Sequence, residues 1–168
     1  MDYRILALGD VASETGLQLL EKKLRTFKRE QNIAFTVVNG ENISGSGLTR
    51  AQAEDLLAAG ADVVTLGNHT FGKPQIATFL DESGYILRPA NFTGRAAGRG
   101  CAAYDCGAFS VAVLVLIGTL TVLHAGVNAV AKLFDDTAQK QEYEDKLEGL
   151  VLFDPVPFEG TKFKKSNP

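Results

Sequence analysis

The chain has 168 residues, of which 45% are hydrophobic and 22% are charged. This balance is typical of one globular domain with a buried core, and it excludes a wholly disordered chain. The net charge of -3 argues against broad nucleic-acid binding through a basic surface, although a metal ion could still attract phosphate locally.

Cysteine usage and the N-terminal sequence predict a reduced, cytoplasmic protein. Cys101 and Cys106 are too close in sequence to staple a fold, and nothing at the N-terminus resembles a secretory leader. The uncharged segment 108–123 is the one candidate for a membrane span. Because this segment is rich in β-branched residues, is interrupted by Gly118 and falls short of the ~20 apolar residues that a spanning helix requires, we expect core strands and no membrane association.

Hydrophobic patterning predicts that strands and helices alternate through residue 87. The expected strands cover residues 3–9, 33–38, 62–66 and 85–87, and the expected helices are one that Ser13 caps, one that Thr49 opens over residues 50–59, and one over residues 74–82. Farther along, the pattern predicts strands at residues 101–105 and 109–117 with a turn at Cys106-Gly107, a strand at 119–124, a helix at 128–147 and a strand at 150–153.

This alternation favours an α/β fold with right-handed crossovers and a mostly parallel sheet. The first strand is expected to be buried, like the strands that follow it. No shift in composition marks a domain boundary, so residues 1–168 are predicted to form a single domain.

Polar side chains with metal-binding or acid-base chemistry follow three of the predicted strands. They are Asp10, Glu41, Asn42, Asn68 and His69. Because the carboxyl ends of parallel strands share one edge of a sheet, these residues are expected to meet there. Carboxylate and amide oxygens suit Mn, Fe or a similar divalent ion, and His69 would be placed to protonate a leaving oxygen.

Each of these residues also has a purely structural interpretation. Asp10 could cap a helix, and Glu41, Asn42 and Asn68 could stabilise turns through side-chain hydrogen bonds. A single histidine such as His69 is more often a structural hydrogen-bonding residue than a catalyst. The functional interpretation gains weight because three separate strand ends carry suitable residue types.

Four motifs stand in a distinctive order and spacing: Gly9-Asp10-Val11, Asn39-Gly40-Glu41-Asn42 with the 45–49 loop, Gly67-Asn68-His69-Thr70, and Arg88-Pro89-Ala90-Asn91-Phe92. Over residues 3–118 they resemble the YmdB-type branch of the calcineurin-like metallophosphoesterases. The resemblance implies a four-layer α/β fold, in which helices flank a β-sandwich, and phosphodiester hydrolysis on cyclic nucleotides or RNA.

The resemblance also implies a role for each candidate residue. Asp10, Asn42 and Asn68 would be metal ligands, Glu41 would bridge two ions, and His69 would be the proton donor.

The chain departs from the family beyond this region, where members are longer and supply histidine ligands. His124 resembles one such ligand if a preceding stretch has been lost. Alternatively, residues 152–162 occupy that place by spacing and lack the histidine, an assignment that we favour slightly. We therefore expect a shortened or divergent member that binds one or two ions and self-associates through an exposed sheet edge. Two functions stay open: an active phosphodiesterase, or an inactive module that binds metal, nucleotide or another protein.

Overall fold

A four-stranded parallel sheet forms the centre of the computed structural model, which describes residues 3–117. Its strands are β1 (Arg4–Asp10), β2 (Ile33–Asn39), β3 (Val63–Thr65) and β4 (Ile86–Leu87), in the spatial order β1-β2-β3-β4. All three neighbouring pairs are parallel. Helices α1 (Ser13–Gln31), α2 (Arg50–Ala59) and α3 (Ile76–Glu82) connect them, which confirms the predicted alternation.

Local sequence signals explain where the helices end. Thr49 caps α2 in a reciprocal capping box with Gln52, and Gly60 closes the helix in the left-handed conformation with φ 118°. Asn32 ends α1 in the same way with φ 53°, a conformation that asparagine tolerates better than most residues. The prediction that Ser13 caps α1 is wrong, because the cap residue is Ala12 and no side chain bonds to the helix N-terminus.

The remaining described strands form an antiparallel hairpin of β5 (Cys101–Asp105) and β6 (Ser110–Leu114). The Cys106 N–H donates to the Phe109 carbonyl at 2.9 Å, and Gly107 turns with φ 84°, as the sequence predicted. The first part of the uncharged segment is therefore strand. The elements predicted beyond residue 117 lie outside the described residues.

The parallel sheet is covered on both faces. Alternate residues of β2 point to opposite sides, so Val38 packs with Leu17 and Leu56 of the helices, whereas Phe35 and Val37 pack against the hairpin. The hairpin contributes Val111, Val113 and neighbouring apolar residues to that second core. Helices, parallel sheet and hairpin thus form three of the four predicted layers within residues 3–117.

Strand β1 differs from the prediction of a buried strand. None of its residues is buried, and Ile5 keeps 37% of its surface exposed. Within residues 3–117, β1 pairs with β2 alone and forms the edge of the sheet, so its outer side has no strand against it. None of the helices in the described part of the chain has the length and apolar character needed to cross a membrane.

Tyr104 on β5 joins the hairpin to the parallel sheet. Its ring lies 5.5 Å from that of Phe35 and 6.0 Å from that of Tyr85, and its hydroxyl donates to the Gly84 carbonyl at 2.8 Å. Burial raises the pKa of the Tyr104 phenol above its ordinary value of 10.0.

This shift predicts a loss of stability at alkaline pH that depends on Tyr104. Above about pH 10 the unfolded chain ionises the phenol while the folded chain keeps it neutral, so stability falls as pH rises. At pH 7, Tyr104→Phe should cost about 1 kcal/mol through the lost hydrogen bond. Urea unfolding should show that the difference in free energy of unfolding between the parent and Tyr104→Phe becomes smaller above pH 10. A difference that does not change with pH would contradict the burial of a neutral Tyr104 phenol.

Candidate metal centre

The register of the parallel sheet brings the ends of its strands level with one another. Asp10 pairs with Asn39, Asn39 with Thr65, and Thr65 with Leu87, forming a continuous row across four strands. The segments that follow each strand consequently leave from the same edge of the sheet. This is the edge at which open α/β sheets bind their ligands.

Asp10, Asn42 and His69 are joined by side-chain hydrogen bonds at this edge. The Asn42 amide nitrogen donates to both carboxylate oxygens of Asp10 at 2.9 and 3.0 Å. The Asn42 carbonyl oxygen lies 2.7 Å from Nδ1 of His69, which therefore carries the proton of this hydrogen bond. Three strand ends thus meet, as the sequence predicted.

Glu41 lies beneath this row and is only 5% exposed. Its Oε2 accepts a hydrogen bond from the His69 backbone N–H at 3.1 Å, and its own N–H donates to Oδ1 of Asn39 at 3.1 Å. The carboxylate rests directly on the backbone of Gly67, where an added Cβ would lie 2.4 Å from Oε2. Gly67 is therefore required here for space.

The buried Glu41 carboxylate has no cationic partner among residues 3–117. The ion pairs in that range join Lys28 to Asp62 and Arg50 to Glu54 and Glu82, so none of them includes Glu41. Within residues 3–117, the Glu41 side chain accepts one hydrogen bond, which comes from the His69 backbone N–H. A buried carboxylate with so few partners is costly unless a cation compensates it, so the site suits a bound positive ion.

The donor set and its spacing fit a divalent ion with oxygen ligands. Neighbouring ligands on an octahedral ion are about 3 Å apart when metal–oxygen distances are about 2.1 Å, close to the separations between Asp10 and Asn42. A half-turn of the Asn42 carboxamide would present its oxygen beside Asp10 and its NH2 group to Nδ1 of His69, which would then accept the hydrogen bond. No group of three or more His, Cys, Asp or Glu residues converges within residues 3–117, so the set relies on neutral amide oxygens.

Asn68 completes the set of predicted ligands. Its side chain is exposed, and no residue in the described range hydrogen-bonds to it. It is therefore available to a ligand next to His69. His124, the alternative family-like ligand, lies outside the described residues.

Backbone hydrogen bonds tie the loop at residues 44–47 to the segment that carries Glu41 and Asn42. The Gly47 N–H donates to the Glu41 carbonyl at 2.7 Å, and the Gly45 N–H donates to the Asn42 carbonyl at 2.9 Å. An added Cβ on Gly47 would lie 3.1 Å from the Gly72 Cα, so this loop touches the segment that carries His69. Sequence reasoning missed these supports, together with Asn39 and the space requirement at Gly67.

Comparison with known proteins agrees with this geometry. The model of the family described as "YmdB-like protein" matches residues 6–154, which is most of the chain. The chain belongs to the YmdB-like family. Over 116 residues it is 36% identical to the 2',3'-cyclic-nucleotide 2'-phosphodiesterase of Bacillus subtilis (strain 168), covering 68% of this chain and 44% of that protein.

Two solved structures share the fold of this YmdB-like chain. A hypothetical protein from Thermus thermophilus matches with a TM-score of 0.69 and 27% identity, covering 80% of this chain and 53% of that one. A novel phosphatase from Mycoplasma pneumoniae matches with a TM-score of 0.63 and 28% identity, covering 70% and 43%. The predicted family and α/β fold are confirmed, and the chain spans about half the length of these relatives.

The contact between Gly67 and Glu41 makes a direct prediction about metal binding. In Gly67→Ala the new methyl group would displace the carboxylate, and displacing one such partner typically lowers metal affinity about 10- to 100-fold. Gly84→Ala is the matched control, because an added Cβ there meets nothing within 4 Å. Mn(II) titration followed by electron paramagnetic resonance, with circular dichroism to check folding, measures the effect. Unchanged affinity in a folded Gly67→Ala protein would remove Glu41 from the metal centre.

Proposed function

We propose that this chain carries a site for metal-dependent hydrolysis of phosphodiesters, with cyclic nucleotides or RNA as substrates. The observation that carries the proposal is the hydrogen-bonded row of Asp10, Asn42 and His69 beside the buried Glu41 carboxylate, which accepts the His69 N–H and has no cationic partner in the described range. The name of the Bacillus subtilis relative, a cyclic-nucleotide phosphodiesterase, supports the substrate class.

Four residues are proposed to hold one or two divalent ions, Mn or Fe by preference. Asp10, Asn42 and Asn68 supply oxygen ligands, and Glu41 bridges when two ions bind. A bound ion would polarise the phosphoryl group and activate water for attack near neutral pH. The ligand residues themselves orient the site, since each is the last residue of a strand or lies in the short turn after one.

His69 is proposed as the proton donor to the leaving oxygen. Its Nδ1 faces the Asn42 carbonyl at 2.7 Å, which fixes the ring and leaves Nε2 as the nitrogen that can meet a substrate. The hydrogen bond from the His69 N–H to Glu41 anchors the backbone beneath that ring. If the Asn42 carboxamide turns its oxygen toward Asp10, its NH2 group would donate to Nδ1, so the neutral ring would carry its proton on Nε2, from which the leaving oxygen can take it.

A second candidate function is a module that binds metal or nucleotide without turnover. The donor set supports it because, among residues 3–117, the site has two carboxylates, Asp10 and Glu41, to balance the charge of an ion, so affinity for a second ion would be low. Turnover separates the two functions.

The proposed hydrolysis predicts activity that depends on both carboxylates. The purified chain, stripped with chelator and reloaded with Mn(II) or anaerobic Fe(II), should hydrolyse bis-p-nitrophenyl phosphate and a 2',3'-cyclic nucleotide. Asp10→Ala and Glu41→Ala should each lower kcat/KM by about 100-fold or more through loss of a metal ligand. Glu54→Ala is the control, since that carboxylate lies on α2 and pairs with Arg50. A folded, metal-loaded chain without turnover would leave the binding module as the function.

The same assay tests the role of His69 separately from metal binding. His69→Ala should lower kcat by about 10²- to 10⁴-fold, the usual contribution of general acid catalysis, while Mn(II) affinity stays within a few-fold of the parent. The loss should be smaller for bis-p-nitrophenyl phosphate, because its leaving group needs little protonation. An equal loss on both substrates would contradict the proton-donor role.

We further propose that the protein is cytoplasmic and self-associates. The exposed edge strand β1 supports self-association, because unpaired strand edges readily pair with another chain. Light scattering should give a mass above the 18.0 kDa of one chain, and a monomer at micromolar concentration would refute it.

A further inference from the structure

An aromatic pair lies at the same edge of the sheet as the candidate metal centre, and no step of the proposed chemistry uses it. The rings of Phe71 and Phe92 are stacked, with centroids 6.0 Å apart and planes inclined by 29°. Phe71 follows β3 and Phe92 follows β4, so both rise from segments that leave the sheet at the ligand-bearing edge.

Phe71 is exposed although nothing in its local structure requires an exposed ring. It keeps 42% of its surface accessible, while Thr70 beside it is fully buried. The other exposed large apolar side chains within residues 3–117 lie on α1, on β1 or just before it, or at the start of β4: Tyr3, Ile5, Leu19, Phe27 and Tyr85. Among these exposed residues of the described range, Phe71 is the one that lies at the ligand-bearing edge of the sheet.

The backbone that carries Phe71 is fixed by hydrogen bonds to the catalytic segment. The Thr70 hydroxyl donates to the Gly67 carbonyl at 2.6 Å, and the Gly72 N–H donates to the His69 carbonyl at 2.9 Å. These consecutive turns place Phe71 two residues from His69 in a rigid segment.

The backbone that carries Phe92 is fixed as well. The buried Arg88 guanidinium donates to the carbonyls of Pro89, Ala96 and Ala97 at 2.8, 3.3 and 3.0 Å, which ties down the segment after β4. The Asn91 side chain holds the backbone of Ile117 through both its amide nitrogen and its oxygen. The two rings thus form a platform whose position is set before any ligand binds.

We propose that the pair of Phe71 and Phe92 is a stacking platform for the nucleobase of the substrate. The inference rests on the proposed function, since it assigns to the same site a preference for phosphodiesters that carry a base. Aromatic rings on rigid segments next to a phosphate-binding centre are how proteins hold single nucleotides, and stacking of this kind tolerates any base. The platform distinguishes a nucleotide from a phosphodiester without a base.

Two substrates with identical reacting atoms test the platform by turnover. The parent chain loaded with Mn(II) should hydrolyse 2',3'-cyclic AMP with a kcat/KM at least about 5-fold above that for ribose 2',3'-cyclic phosphate, as expected for one stacked base. Phe71→Leu should bring this ratio close to one. Phe27→Leu, the same change at a ring that is 44% exposed on α1, should leave the ratio unchanged. Equal rates on both substrates in the parent chain would overturn the platform while leaving hydrolysis intact.

A binding measurement tests the platform independently of catalysis. The chain contains no tryptophan, so Phe71→Trp introduces a single tryptophan, which can be excited selectively, at the platform while keeping an aromatic surface there. AMP should quench its fluorescence at concentrations where ribose 5-phosphate does not, and Phe27→Trp should respond to neither. Failure of AMP to quench more than ribose 5-phosphate would overturn the platform. If AMP quenches the fluorescence selectively but the chain shows no turnover, the platform is supported and the proposed hydrolysis is rejected.

Discussion

The site depends on the contacts that fix the position of the buried Glu41 carboxylate. A buried negative charge is costly unless hydrogen-bond donors or a cation compensate it. Here the carboxylate rests on Gly67 and accepts the His69 N–H, so one side chain fixes the position of the segment that carries His69. Asn42, the next residue in the chain, then connects that segment to Asp10.

The sheet supplies the precision that these contacts need. The ends of the parallel strands pair in one row, although β1 shifts its register just before Asp10, and two apolar cores cover the two faces of the sheet. Each functional side chain therefore lies at the end of a strand or in the short turn that follows one. Preorganisation of this kind lowers the cost of assembling a site around an ion or a phosphate.

The sequence predicted the parts of this structure that follow from local patterning. Alternating apolar strands, the cap at Thr49 and the turn at Gly107 each depend on a few neighbouring residues, and the meeting of Asp10, Asn42 and His69 follows from parallel pairing. The space requirement at Gly67 and the stacking of Phe71 on Phe92 could not be predicted, since both join separate loops. The exposure of β1 could not be predicted either, because the burial of a strand depends on the elements that pack beside it.

The low burial of β1 gives Asp10 a different physical status from Glu41. Asp10 ends a strand with no buried residue, whereas Glu41 follows one whose last five residues are all buried. An ion held by both side chains would join the exposed edge strand of the described sheet to a strand whose C-terminal half is buried. Metal binding and local opening of β1 would then be linked equilibria, so that loss of the ion loosens the strand and loosening of the strand releases the ion.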